Sequence, residues 1–224
     1  MTHAVYIVLG LIVLGILVNL IWRVLSHRQA LPCPSWLGWM VELDNPFTRV
    51  NRAQFIVDHL DLEPSMKVLD AGCGPGRVTL PLAEAVGSSG EVVALDVQDE
   101  MLARVRAKAK AAGLTNIRYL QAELGEGKFS LDGFDRVVLV SVLGEIPHQA
   151  AALRELYDAL KPGGILSITE VIFDPHFQGR KSVRRLAQAA GFREKRFLGK
   201  RLAYTMHVEK PGEECASEND EAKW

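Results

Sequence analysis

From residue 66 onward, short apolar runs alternate with stretches whose apolar residues recur every three or four positions. Residues 66–71, 91–95, 117–120, 136–140 and 165–171 form the runs, and the pattern predicts strands there. Residues 77–86, 99–112, 149–160 and 181–190 carry the helical spacing, as do residues 48–60 ahead of the first strand. Glycines at 87, 90, 113 and 191, and the Lys161-Pro162-Gly163-Gly164 turn, stop these helices. Two final strands are expected over residues 192–197 and 203–208. Strict alternation implies an α/β fold, a Rossmann-like doubly wound parallel sheet covered by helices on both faces. The fourth run is apolar enough to be buried on both sides.

The two ends depart from this pattern. Residues 4–25 are almost wholly apolar, with Asn19 and Arg23 the strongly polar exceptions. At about 1.5 Å per residue such a helix spans one hydrocarbon core. Tyr6 and Trp22 sit near its ends, where interfacial aromatics belong. Only His3 precedes the run and it exceeds a usual signal-peptide core, so a retained transmembrane helix is expected, within an anchor over residues 1–30. Arg23, His27 and Arg28 follow it, which places the rest of the chain in the cytoplasm. Gly10 and Gly15 are five apart, so the GxxxG pairing pattern is absent.

Residues 31–47 form a juxtamembrane segment. Pro32 and Pro34 break any continuous helix, and Trp36, Leu37, Trp39 and Met40 give it an apolar surface. It either packs on the domain or lies at the interface as a substrate lid. The globular domain is expected over residues 48–211. Residues 212–224 are acidic, with Glu213, Glu214, Glu218, Asp220 and Glu221, and predict a disordered tail.

Charge narrows the function classes. The 224 residues hold 26 Lys and Arg against 27 Asp and Glu. Phosphate backbones demand a basic surplus, so nucleic acid is not the expected partner. Basic residues do cluster between Arg180 and Arg201, as a solvated face or an anionic-membrane face. Cys33, Cys73 and Cys215 are too scattered for a disulfide framework or a zinc site, and no metal is expected.

Ligands of doubly wound sheets bind beyond the carboxyl ends of the strands. There the first strand runs into Asp70-Ala71-Gly72-Cys73-Gly74-Pro75-Gly76-Arg77, followed by a helix. The glycines let backbone approach a ligand closely. The second strand ends at Asp96, placed to meet the two hydroxyls of a ribose, or else to cap the next helix. An adenosine-type cofactor follows, leaving NAD and S-adenosylmethionine open. The spacing is GxGxG where a dinucleotide fingerprint wants GxGxxG, with Arg77 in place of the third glycine. The Asp70 carboxylate would repel a pyrophosphate and attract an ammonium group, which favours the sulfonium cofactor.

Asp70 to Gly76 resembles the first motif of the class I S-adenosylmethionine-dependent methyltransferases. Asp96-Val97 with Met101 resembles the ribose carboxylate and its adenine-packing neighbours. Gln121-Ala122-Glu123-Leu124 resembles the third-strand motif, with Glu where the family more often has Asp. Phe134 to Val138, Ser141 to Leu143 and Ile146-Pro147 resemble the fourth-strand motif, and Leu160 to Gly164 the turn before strand five. The resemblance implies a seven-stranded sheet of order 3-2-1-4-5-7-6 with an antiparallel last strand. It also implies S-adenosylmethionine held by Asp70, Gly72, Cys73, Gly74, Gly76, Asp96, Val97, Met101, Glu123, Leu124 and Ser141.

Methyl transfer is an in-line displacement, so the protein orients, desolvates and where needed deprotonates the acceptor. Glu145, His148, Glu170, Asp174 and His176 follow strands four and five and are candidate bases, with Glu145, His148 and His176 foremost. The Asn-Pro-Pro-Tyr signature of methylation at amide or base nitrogens is missing. Together with the anchor this suggests a small or lipophilic acceptor: a phospholipid headgroup, a quinone precursor or a thiol. The alternatives are a nicotinamide-dependent oxidoreductase and a cofactor-binding membrane protein without catalysis. The sequence leaves the oligomeric state open.

Overall fold

The computed structural model describes parts of residues 3–17, residues 42 and 44, and residues 48–127 and 131–212. Among the described residues from Ala53 onward the α-helices and strands are α1 (Ala53–Asp58), β1 (Lys67–Ala71), α2 (Thr79–Val86), β2 (Glu91–Asp96), α3 (Asp99–Ala111), β3 (Ile117–Gln121), β4 (Phe134–Val140), α4 (Gln149–Ala159), β5 (Leu160–Val171), α5 (Arg180–Ala189), β6 (Arg193–Lys200) and β7 (Ala203–Glu209). They build one seven-stranded sheet of order β3-β2-β1-β4-β5-β7-β6. The first five strands are parallel, and β7 runs antiparallel between β5 and β6. This is the order expected.

The alternation of side chains along each strand feeds two cores. Val137 and Leu139 of β4 point into the larger one, with Leu153 and Leu156 of α4 and Val183 and Ala187 of α5. Val138 points the other way, onto Ile56 of α1 and Leu82 and Val86 of α2. Strand β4 is thus buried on both faces, as its composition requires. The α3 residues Leu102 and Val105 cover the β2 side.

Three boundaries differ most from expectation. Helix α1 starts at Ala53 rather than residue 48, because Thr48 Oγ1 donates to Asn51 Oδ1 at 2.7 Å and the Arg52 N–H bonds back to Arg49, closing a turn instead. Strand β5 begins at Leu160, so the Lys-Pro-Gly-Gly stretch expected as a turn ahead of the strand lies within it as a bulge, where the β4 register shifts between Phe134 and Arg136 and Gly163 takes φ +78°. Its polar groups find partners: the Gly163 N–H donates to the Lys210 carbonyl and the Lys210 N–H to that of Gly164. Strand β6 continues to Lys200, held by pairing with β7 down to Lys200↔Ala203.

No helix among the described residues is long and apolar enough to cross a membrane. The span expected over residues 4–25 lies largely outside them, as do most of the 31–47 segment and all of residues 213–224. The described residues 5–10, 13–15 and 17 are helical, and Tyr6, Ile7, Leu14 and Leu17 among them are exposed.

Candidate functional site

The carboxyl ends of β1, β2, β3 and β4 converge on the glycine loop. Gly72 has φ +77°, and a Cβ there would stand 2.5 Å from Val142 Cγ2. Only glycine lets the loop after β1 lie against the loop after β4. The loop is knitted to β2: the Gly72 and Cys73 N–H groups both donate to the Leu95 carbonyl, at 2.8 and 2.9 Å. The Gly74 N–H donates to Asp96 Oδ2 at 2.8 Å, and the Gly76 N–H to the Cys73 carbonyl.

Asp96 is 7% exposed and its Oδ1 accepts from the Gln98 N–H at 2.9 Å. Its carboxylate therefore bridges the glycine loop and the entry to α3, while Gln98 takes the N-cap position of α3 itself. Burial pushes its pKa up, opposed by those amide bonds. Each carboxylate oxygen keeps a second lone pair for an incoming hydroxyl. Asp70 is fully enclosed. Its Oδ2 accepts from Thr79 Oγ1 at 2.6 Å. Burial pushes Asp70 up to about 6, and the Thr79 bond and Arg77 hold it from going further.

The expected adenosine cofactor can be tested against this loop. A pyrophosphate needs unspent backbone donors and no nearby negative charge. Here the amides of Gly72, Cys73, Gly74 and Gly76 all donate within the protein, and two buried carboxyls flank them. That arrangement suits a cationic amino-acid end and a ribose, and fits S-adenosylmethionine.

The other expected contacts gather around it. Val97, beside Asp96, is 42% exposed, an apolar surface at the cofactor side, whereas Met101 and Leu124 are buried behind. Glu123 is exposed in the loop after β3, which the Ala122 N–H ties to the Asp96 carbonyl. Ser141 takes φ +57°, a strained backbone for a non-glycine residue, at the end of β4. Cys73 is buried, which pushes its thiol up and makes it a filler rather than a nucleophile.

The candidate bases divide. His176, 4% exposed, places Nδ1 3.7 Å from Glu145 Oε1 and 3.7 Å from Asp174 Oδ1. This close packing rests on Gly144, where a Cβ would fall 2.0 Å from the His176 carbonyl oxygen. Glu170, at the carboxyl end of β5, is 1% exposed. Its Oε2 accepts from the Gln178 N–H at 2.9 Å, while Oε1 has no partner among the described residues. Burial, with Asp174 and Glu145 nearby, pushes Glu170 up to about 8. His148 does not join them. It is exposed at the start of α4, with Nε2 3.7 Å from Glu126.

Several partners were not singled out in the sequence. Thr79 secures Asp70, and its hydroxyl nine residues after Asp70 is the signal that was there. Asp44 pairs with Arg77 at 2.7 Å and Glu42 with Lys108 at 2.8 Å. Those two acids meet the end of the glycine loop at Arg77 and helix α3 at Lys108. Tyr204, opposite Glu170 on β7, donates from its hydroxyl to the Gln178 carbonyl at 2.7 Å.

Residues 68–164 match the family described as a methyltransferase domain. Over 126 residues the chain is 33% identical to a ubiquinone/menaquinone biosynthesis C-methyltransferase of Vibrio vulnificus, covering 54% of this chain and 48% of the relative. A demethylmenaquinone methyltransferase of Staphylococcus aureus is 34% identical over 115 residues, 51% of this chain and 47% of that protein. The chain thus spans about half the length of these curated relatives. Among solved structures, a SAM-dependent methyltransferase from Aquifex aeolicus superposes with TM-score 0.70 at 22% identity, over 80% of this chain and 99% of that one.

Proposed function

We propose that this chain, whose residues 68–164 form an S-adenosylmethionine-dependent methyltransferase domain, methylates a lipophilic quinol-type acceptor at a membrane surface. The observation that carries the acceptor side is Glu170: a buried carboxyl, one oxygen without a partner among the described residues, at the carboxyl end of β5 near Glu145 and Asp174, which flank His176. The similarity to quinone-pathway C-methyltransferases supports the acceptor class. The apolar run at residues 4–25 supports attachment to a membrane, with the domain on the cytoplasmic side.

When bound, S-adenosylmethionine supplies the electrophilic methyl group. Asp96 would hold the ribose, Asp70 would face the ammonium end, and the glycine loop would admit both. A ring carbon becomes nucleophilic when the neighbouring hydroxyl loses its proton. His176 accepts that proton at an imidazole nitrogen, and Glu145 and Asp174 stabilise the resulting cation. Glu170, neutral near pH 7, offers a hydrogen-bond donor to a second acceptor oxygen. Asp44 and Glu42 brace the cofactor side by pairing with Arg77 and Lys108.

The test is methyl transfer from isotope-labelled S-adenosylmethionine by the purified full chain. Acceptors are a reduced demethylated quinone analogue, a hydrophobic thiol and phosphatidylethanolamine. Label on the quinol ring carbon, weakened in H176A, is expected. Label on thiol or headgroup with none on the quinol sinks the acceptor assignment. Binding of NAD in place of S-adenosylmethionine sinks the whole reading.

A further inference from the structure

We infer that the β6–β7 hairpin tip and the outer face of α5 form a docking surface for an anionic lipid bilayer. This inference rests on the proposal of membrane attachment. Strand β7 is antiparallel, so its first residue, Ala203, pairs with Val171 at the carboxyl end of β5. The tip between Lys200 and Ala203 therefore projects from the same end of the sheet as the glycine loop and Glu170. Its two central residues are Arg201 and Leu202, neither of them a residue that turn geometry prefers. Leu202 is 55% exposed, and its carbonyl accepts from the Ile172 N–H at 2.7 Å, which sets the 60% exposed Phe173 alongside.

Charge surrounds this apolar pair. Between Arg180 and Arg201 stand nine basic residues and one acid, Glu194, in a chain of net charge −1. Arg180 and Arg184 are held by Glu194, Lys195 by Glu209 and Arg196 by Asp61. Lys181, Arg185, Arg193, Lys200 and Arg201 are exposed and take part in no ion pair among the described residues; all but Arg193, which starts β6 at the end away from the tip, lie on α5 or at the tip. Strand β6 is one of the two edges of the sheet, and charges on an edge strand discourage pairing with other chains. That accounts for basic residues along β6, but not for an exposed Leu and Phe at the tip beside them. Apolar side chains that enter the headgroup layer, ringed by unspent cations, match a negatively charged lipid surface. A nucleic acid would use the charges but leave the aliphatic Leu202 unexplained. Docking here turns the catalytic end of the sheet toward the bilayer, where a lipophilic acceptor is dissolved.

The experiment uses the full chain with Cys33 and Cys215 replaced by Ser. An environment-sensitive fluorophore is placed by Leu202→Cys, or at a control position by Glu84→Cys on the opposite end of the sheet. Vesicles are phosphatidylcholine alone or mixed with phosphatidylglycerol, each with a bilayer-buried quencher. The expected result is several-fold quenching at 202 and not at 84, only with phosphatidylglycerol. It should weaken in high salt and vanish in K181E/R185E/K200E/R201E. Equal signals at both positions, no dependence on the anionic lipid, or a response to single-stranded RNA without one to vesicles would overturn the inference. Co-flotation with phosphatidylcholine alone reports the amino-terminal segment separately. Its loss would count against the anchor while leaving the quenching comparison decisive.

Discussion

The two sides of the site handle buried acid in opposite ways. At the glycine loop, Asp96 accepts two backbone amides and Asp70 accepts a threonine hydroxyl, so each charge has partners waiting. Asp70 is pushed only to about 6 and is ionised at neutral pH. At the end of β5, Glu170 receives one amide and has an oxygen unmatched among the described residues, and burial pushes it up to about 8. The first region suits a charged, invariant cofactor end. The second stores a proton and an open hydrogen-bonding position, as a site for a variable, mostly apolar acceptor would.

The largest expected effect comes from Gly144→Ala. Its Cβ meets a backbone carbonyl 2.0 Å away, and overpacking of this kind costs about 3 kcal/mol or more. Urea denaturation should show the loss, while calorimetric binding of S-adenosylmethionine persists in the folded fraction. An equal loss of cofactor binding would erase the division between the two regions.

Glu170→Gln sharpens it. The Glu170 carboxyl titrates near 4.5 when unfolded and about 8 when folded, so the native state holds the proton more tightly. Its contribution is complete below pH 4.5, is lost as pH rises toward about 8, and changes no further above that. The loss is about 1.4 kcal/mol for each pH unit between the two values. The glutamine variant should lack this slope and be the more stable protein at pH 9. Parallel stability curves for both proteins across that range would show that Glu170 is not held protonated.

Asp96→Ala removes the acceptor of the Gly74 amide together with the one proposed for the ribose. Cofactor binding should weaken by roughly 1.5–3 kcal/mol, read by calorimetry. Unchanged affinity in a folded variant would remove Asp96 from the cofactor site. The smallest effect is Thr79→Val, which takes one hydrogen bond from Asp70. A stability loss of about 1 kcal/mol at pH 7 is expected, and the midpoint of the Asp70 titration should move upward. A midpoint that stays put would mean that the Thr79 bond does not hold the charge.

The legibility of the two regions differs for the same reason. The cofactor side is local: a strand, three glycines and a helix in one short stretch, with Asp96 at the end of the adjoining strand. Such chemistry can be read along a sequence. The strand order came from resemblance to a family rather than from periodicity, and the sheet bears it out. The acceptor side is made by tertiary packing. Glu145, Glu170, Asp174 and His176 were all candidates, but nothing in their spacing shows that His176 meets Glu145 while His148 turns to Glu126. Gly144 makes that meeting possible, and it looks like an ordinary loop glycine until the His176 carbonyl is seen against it. The extension of β5 through Pro162 was hidden too, because its partner is Lys210, far away in sequence.

The placement of β7 also governs how this domain comes into being during synthesis. Of the seven strands of this sheet it is the last to leave the ribosome, yet its slot is interior, between β5 and β6. Until Glu209 has emerged, β5 shows a bare edge over its last seven paired positions, Ile165 to Val171. A partly translated chain therefore carries an apolar template for association with its neighbours. Thr205 then reaches the Val50 carbonyl at 3.0 Å and joins the newest segment to the start of the domain. Such long-range closure slows folding and makes completion of the sheet a single late event.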